Sequence, residues 1–347
     1  MITCRRQTVA LATLLALAGL AFPGPPLLPV GGESRATKPK PHSLAGKYWS
    51  RETGAVRYAN LVDAVRSADF ALLGEVHDNG LHHAWRGTLL RDVRGFGEPY
   101  TKAAGLPPKV PAVVLEHIRA DQRPALDLFA GLVRSGQHLD RPAEFFRFLK
   151  WEQSGWPDKK LFEPMISSIL AGRHPLFAGD PPRDLVRAVA KSGFAGIAES
   201  EVARLGLAVA MDQRHLDALL TELEASHCGL LPKAAMVNMA RAQRYRDAHQ
   251  AAAMIEAARL NGGAVLLAGN GHVRSDRGVP AHLRRLAPDK KIVVVQLVEV
   301  EPGKTDPAAY VMRGPDGRPA ADFLAFTERA VRTDPCIEMR EKFGAKQ

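Results

Sequence analysis

The sequence predicts an α/β fold: a mostly parallel central sheet flanked by helices, with a helical insertion or lid. Three observations carry this. Five short apolar runs lack the alternation of a half-exposed strand, which marks strands buried on both faces. Stretches with helical spacing fall between the runs, and strands alternating with helices build a parallel sheet. One intervening segment, 123–172, is too long for a simple crossover.

Residues 1–22 read as a signal peptide. Arg5 and Arg6 precede an uncharged run from Thr8 to Phe22, which is short for a membrane span and ends among small residues such as Ala18 and Ala21. A retained N-terminal anchor is the alternative. Cys4 lies before the apolar run and none closely follows it, so no lipid anchor is expected, and an exported, periplasmic location is. Residues 23–45, rich in Pro, Gly, Lys and Ser, read as a linker. The main domain is expected over 46–335, followed by a tail over 336–347. Export would leave Cys228 and Cys336, an even count that favours one disulfide in an oxidising compartment over two separate thiols.

Within the domain, strands are expected at Asp69–Leu73, Ala112–Leu115, Pro175–Ala178, Ala264–Ala268 and Ile292–Val298. Helical spacing covers Leu81–Arg94, Pro182–Val189, Asp212–Ala225 and Ala234–Leu260. The insertion carries Phe145, Phe146, Phe148, Trp151, Trp156 and Phe162. Such a stretch is the core of a helical subdomain, or a flat apolar surface against which a planar macrocycle could stack.

A chain of 347 residues with 46% hydrophobic and 24% charged residues is neither disordered nor a polytopic membrane protein. The formal net charge of +10 suits small anionic ligands or an anionic membrane face, or reflects an Arg-rich surface. Nucleic acid is not expected as a partner, because no basic stripe with interleaved aromatics and no zinc-finger spacing accompanies the charge.

Ligands of open parallel sheets bind beyond the carboxyl ends of the strands, and here polar residues follow the strands directly. The first strand leads into Gly74-Glu75-Val76-His77-Asp78-Asn79, the second into Glu116-His117, the third into Gly179-Asp180 and the fourth into Gly269-Asn270-Gly271-His272. Gly-x-x-His thus occurs twice. Glycine lets the backbone turn and approach a ligand, and imidazole and carboxylate groups ligate metals or move protons. His77, His272, Glu75 and Glu116 form a chemically sufficient metal set, in which Glu75, His77 and His272 would hold the metal and Glu75 and Glu116 would be the catalytic carboxylates of a hydrolase. The other reading is a polar network that closes the sheet edge and caps helices, with Asp78 or Asn79 as a cap. One of His82 and His83 is expected to face the rim. His117 is expected to be a structural neighbour of Glu116, and Asn270 to shape its turn or touch a ligand. Arg246 and Asp247 form either a solvated pair or, through Arg246, a carboxylate-holding site.

The ordered motifs resemble the ChaN-like family of haem-binding proteins associated with iron uptake, which shares a superfamily with the Tiki and TraB proteins and the erythromycin esterases. The resemblance rests on the 74–79 motif followed by His82-His83, Glu116, Ala242-Gln243, Arg246-Asp247-Ala248, the run from Leu267 to Arg274, and Gly278-Val279-Pro280. It implies an α/β core, a haem cofactor, a homodimer and a membrane uptake system as partners. Its ligand-binding residues would be Glu75, His77, Asn79, His82, His83, Glu116, Arg246, Asn270 and His272. The Tiki-like branch implies instead a hydrolase using a divalent metal. The sequences around Cys228 and Cys336 also look family-like and support their pairing. The axial haem ligand stays open; of the five tyrosines, Tyr100 is the one expected to be most exposed, because it falls in a Gly- and Pro-containing stretch.

Overall fold

The structure, a computed structural model, describes residues 41–93, 110–137, 141–231 and 233–343. The expected signal peptide, most of the linker and Tyr100 lie outside them.

A hairpin of β1 (Tyr48–Ser50) and β2 (Gly54–Val56) precedes α1 (Tyr58–Arg66), β3 (Phe70–Leu73) and α2 (Gly80–Asp92). After β4 (Ala112–Arg119), the insertion supplies α3 (Arg123–Arg134), α4 (Pro142–Phe148) and α5 (Lys159–Ala171). Next come β5 (Leu176–Asp180), α6 (Arg183–Ser192), α7 (Glu199–Arg204), α8 (Gln213–Ser226) and the long α9 (Lys233–Asn261). The chain ends with β6 (Ala264–Leu267), α10 (Val279–Leu286), β7 (Ile292–Glu299), β8 (Phe323–Thr327) and α11 (Pro335–Phe343).

The strands form one sheet in the order β2-β1-β8-β7-β3-β6-β4-β5. From β8 to β5 every pairing is parallel, and only the β1–β2 hairpin adds antiparallel edges. The fold is therefore the expected α/β sheet. All five expected strands form, and three more join them. β1 and β2 have three residues each, too few for a pattern to register, and β8 follows a polar, Gly- and Pro-containing loop.

Side-chain parity divides the core into two layers, because successive residues of a strand face opposite sides. Ala71, Leu73, Val113, Leu115, Val265 and Leu267 pack against α1, α2 and the insertion helices. Phe70, Leu72, Ala112, Val114, Ala264 and Leu266 pack against α9 and α10. Burying each such Leu, Val or Phe is worth about 1.5–3 kcal/mol, which explains runs with no polar position. Four of the insertion aromatics (Phe145, Phe146, Trp151 and Phe162) are buried in the first layer. A smaller cluster joins the outer face of α9, through Ala242, Tyr245 and Ala248, to Val189, Leu205 and Leu207. Cys228 and Cys336 form a disulfide with Cα atoms 5.6 Å apart, tying α11 to the end of α8.

The polar residues expected just beyond two strands lie inside them. β4 continues through Glu116 and His117, and β5 through Gly179 and Asp180. This matters because strand residues keep their parity: Glu116 must face α9 and His117 the insertion.

Candidate functional site

The four strand ends converge on one rim. On the insertion side, Glu75 is the hub and is fully buried. Its Oε1 accepts from His77 Nδ1 at 2.8 Å and from His117 Nε2 at 2.9 Å, and its Oε2 accepts from Arg86 Nη2. His83 also lies here, but its Nε2–H donates to the His77 carbonyl at 2.9 Å, so its bare Nδ1 accepts from Arg86 at 2.7 Å. Burial pushes His83 down to about 4 and His117 well below the usual histidine range, and lowers His77 as well. All three are neutral at neutral pH, while burial lowers Arg86 to about 9, still cationic.

His77 differs from its neighbours. Its side chain is 40% exposed. With Nδ1–H donated to Glu75, its Nε2 carries the lone pair. A carboxylate on the far nitrogen of an imidazole is the arrangement that orients metal-bound histidines. The ring lies edge-on to Trp156 at 4.9 Å, and Trp156 is held by its indole N–H on the His117 carbonyl at 3.1 Å. Gly269 makes the space: a Cβ there would lie 2.8 Å from His77 Cε1.

On the α9 side, Glu116 Oε1 accepts from Arg246 Nη2 at 2.7 Å and lies 3.2 Å from His272 Nε2, while its Oε2 accepts from the Gly269 N–H at 2.6 Å. Arg246 Nε reaches Asp180 at 2.7 Å, and His272 Nδ1 reaches Asp247 at 2.5 Å. Burial alone would raise Glu116, but His272, His77 and Arg246 hold it well below the carboxylate range. Burial alone would lower His272, but Glu116 and Asp247 bring it up to about 9, so it is an imidazolium. Burial raises Asp247 despite His272. Arg246 and Asp247 are thus not a pair with each other: a helix turns about 100° per residue, which sends the first to Glu116 and Asp180 and the second to His272.

These partners redistribute the expected site residues. The expected metal set joined Glu75 and His77 to His272, but His272 carries a proton on each nitrogen and serves two carboxylates. The trio whose donor atoms lie within 4.8 Å of one another, among the described residues, is Glu75, His77 and His117. Even there Glu75 already accepts three hydrogen bonds, and through them it anchors and orients its neighbours. Glu116 is likewise committed. His82 turns away from the rim: its Nδ1 accepts from the Val76 N–H at 2.9 Å and its Nε2 meets Thr327 Oγ1 at 2.8 Å. Asn79 is a cap, accepting from the Leu81 N–H at 2.9 Å and donating to Glu299 at 2.7 Å. Asn270 shapes its turn by donating to the Leu297 carbonyl at 2.8 Å, beneath Gly74, where any Cβ would strike its side chain. His117 adjoins Glu75 rather than Glu116 through a hydrogen bond.

Asp180, Asp247 and Trp156, which the strand-end, helix and insertion patterns pointed to, complete the site together with Arg86, which no sequence motif marked. Arg86 sits three residues after His83, a helical spacing that signals their shared face. Beside Trp156 opens a cavity of about 280 Å³, walled also by Arg119, Arg183, Arg246, Glu116 and Asp180. Arg183 donates to the Ser154 carbonyl and has no carboxylate partner among the described residues.

Comparison with known proteins adds the following. A family model described as haem-binding uptake, Tiki superfamily, ChaN matches residues 61–283. No curated protein matches the chain. Among solved structures, ChaN of Campylobacter jejuni, described with cofacial haem binding, has a TM-score of 0.59 at 18% identity, covering 80% of this chain and 95% of that one. The type III effector HopBA1 has a TM-score of 0.39 at 14% identity, covering 78% and 92% respectively, too low to carry an argument. The match to the family model spans well over half the chain, with both Gly-x-x-His motifs, Glu116 and Arg246 inside it. The chain therefore belongs to the haem-binding uptake family of the Tiki superfamily, the family of ChaN.

Proposed function

We propose that this protein binds haem at the rim, with His77 Nε2 as the iron ligand, and acts as an exported component of iron uptake. The observation that carries the reading is the state of His77: neutral, half-exposed, its Nδ1–H fixed by Glu75, and its Nε2 lone pair left over. The residues around it fit the cofactor. Trp156 supplies a flat apolar wall, and Arg183 supplies positive charge for a propionate at the adjoining cavity. That cavity is slightly smaller than the ~300–1,000 Å³ of sites that engulf a drug-sized ligand. His77, Trp156 and Arg183 would then hold haem at the mouth of that cavity. Bound haem would supply a redox-active iron; the residues here serve to hold and orient it. The uncharged run from Thr8 to Phe22 supports export to the periplasm.

The test is a titration of the purified protein with haemin, followed by absorbance. A saturable Soret shift is expected, and His77→Ala should weaken it by more than about tenfold, as loss of a ligand should exceed the 10–100-fold cost of losing a ligand's support. Saturation unchanged in His77→Ala would remove His77 from the role, and absence of saturable binding would overturn the haem reading.

A further inference from the structure

The molecule carries a second polar cavity, on the far side of α9 from the insertion, and we propose that it binds the oxyanion group, phosphate or carboxylate, of a small ligand. It measures about 250 Å³ and lies among α8, α9, α10 and the 205–212 loop. Arg244 and Arg285 line it. Among the described residues neither guanidinium has a carboxylate partner. Arg244 Nη2 donates to the Val209 carbonyl at 2.7 Å and the group lies over the Phe194 ring at 5.6 Å. Arg285 Nη2 donates to the Leu205 carbonyl at 3.1 Å and faces His282 Nδ1 at 3.4 Å.

The acids on the cavity wall do not neutralise this pair. Asp276 is taken by Arg274 at 2.9 Å and by Arg277 at 3.5 Å. Asp212 caps α8, accepting from the Arg214 N–H at 3.1 Å, and meets His215 Nδ1 at 3.1 Å. Two guanidinium groups, Arg244 part-buried and Arg285 exposed, thus face one small space without a carboxylate bonded to either, an arrangement that favours an anion there.

The backbone fixes the pair in place. Gly206 has φ +62°, and a Cβ there would overlap the Arg285 guanidinium. Glycine is required both for the turn and for the close approach of the charge. Each arginine spends a donor on a carbonyl of the same loop, so the remaining N–H groups are oriented before a ligand arrives, which lowers the entropic cost of binding. His282, buried and facing Arg285 with its bare Nδ1, has Nε2–H left as a third donor. Val209 and Met211 give the cavity an apolar side suited to the body of an organic anion.

Calorimetric titration of the full chain in low-chloride buffer with inorganic phosphate, and separately with acetate, tests this. Saturable binding of at least one probe is expected, and which one binds identifies the oxyanion class. Arg244→Gln and Arg285→Gln should each weaken it about tenfold or more, since a hydrogen bond to a charged group is worth about 1.5–3 kcal/mol. Circular dichroism and melting establish that each variant is folded. If either fails to fold, Met211→Glu serves instead: it keeps both arginines in the chain, places a competing carboxylate in the cavity they line, and should abolish probe binding. No saturable binding of either probe, or binding unchanged in the folded variants, overturns the proposal.

Discussion

Replacing Glu75 with glutamine keeps the side chain's shape and removes its charge, and it separates support of a ligand from the ligand itself. In the native protein the carboxylate accepts from His77, His117 and Arg86. An amide has one acceptor oxygen. If that oxygen serves Arg86, the amide N–H groups face the N–H groups of His77 and His117; if it serves the histidines, they face a buried guanidinium. Either way His77 loses the partner that fixes its tautomer. The expected loss of haemin affinity is about 10–100-fold, the range seen when a metal-bound histidine loses its carboxylate partner. Stability falls too, because Arg86 is buried and loses its counter-charge, at a cost of about 3–5 kcal/mol. In melting that is a fall of roughly 6–10 °C. The assay pairs a haemin titration with thermal unfolding. A folded Glu75→Gln protein with the predicted melting loss but native haemin affinity would refute the claim that Glu75 orients the ligand; no loss of stability would refute the buried charge pair.

Two further outcomes follow from the same geometry. Gly269→Ala should displace His77, whose Cε1 would lie 2.8 Å from the new Cβ, and weaken haemin binding as much as Glu75→Gln while leaving Glu116 and Arg246 in place. Stability should also peak near neutral pH. His82 and His83 have folded values of about 4, below the unfolded value of about 6.5. Their contribution, a few kcal/mol each on the order-of-magnitude scale of the shift, is present above pH ~6.5 and lost as pH falls through 4. His272 has a folded value of about 9, so its contribution is full below pH ~6.5 and lost as pH rises through 9. Urea midpoints from pH 4 to 10 check this, and a flat profile on both sides would contradict the assigned protonation states.

The parallel strands were legible because burial on both faces leaves an uninterrupted apolar run, as in Phe70–Leu73 and Ala264–Leu267. The convergence of the rim was legible for a topological reason: parallel strands end on the same side. What the sequence did not carry was partnership. Glu116 and His117 are neighbours in the chain, yet one bonds to Arg246 and the other to Glu75. Asn79 and His82 belong to the motif by position but face Glu299 and Thr327, which come from strands at the far end of the chain. Arg86 carries no motif in the sequence, and only the fold sets it against the buried Glu75 carboxylate. Such assignments depend on which face a side chain takes, and a shift of one residue changes the answer.

That dependence has a consequence at β4. Two adjacent residues of a single strand serve two electrostatic assemblies on opposite sides of the sheet: Glu116 among cations beneath α9, His117 among aromatics beneath the insertion. The sheet acts as a partition, and β4 is threaded through it like a two-sided seam. Sliding the strand by one position would set an imidazole against Arg246 and a carboxylate against Trp151 and Trp156, costing both assemblies at once. The dipeptide therefore works as a register mark. It makes every neighbouring alignment of β4 far worse than the native one, so the chemistry of the rim also specifies how the sheet beneath it must assemble.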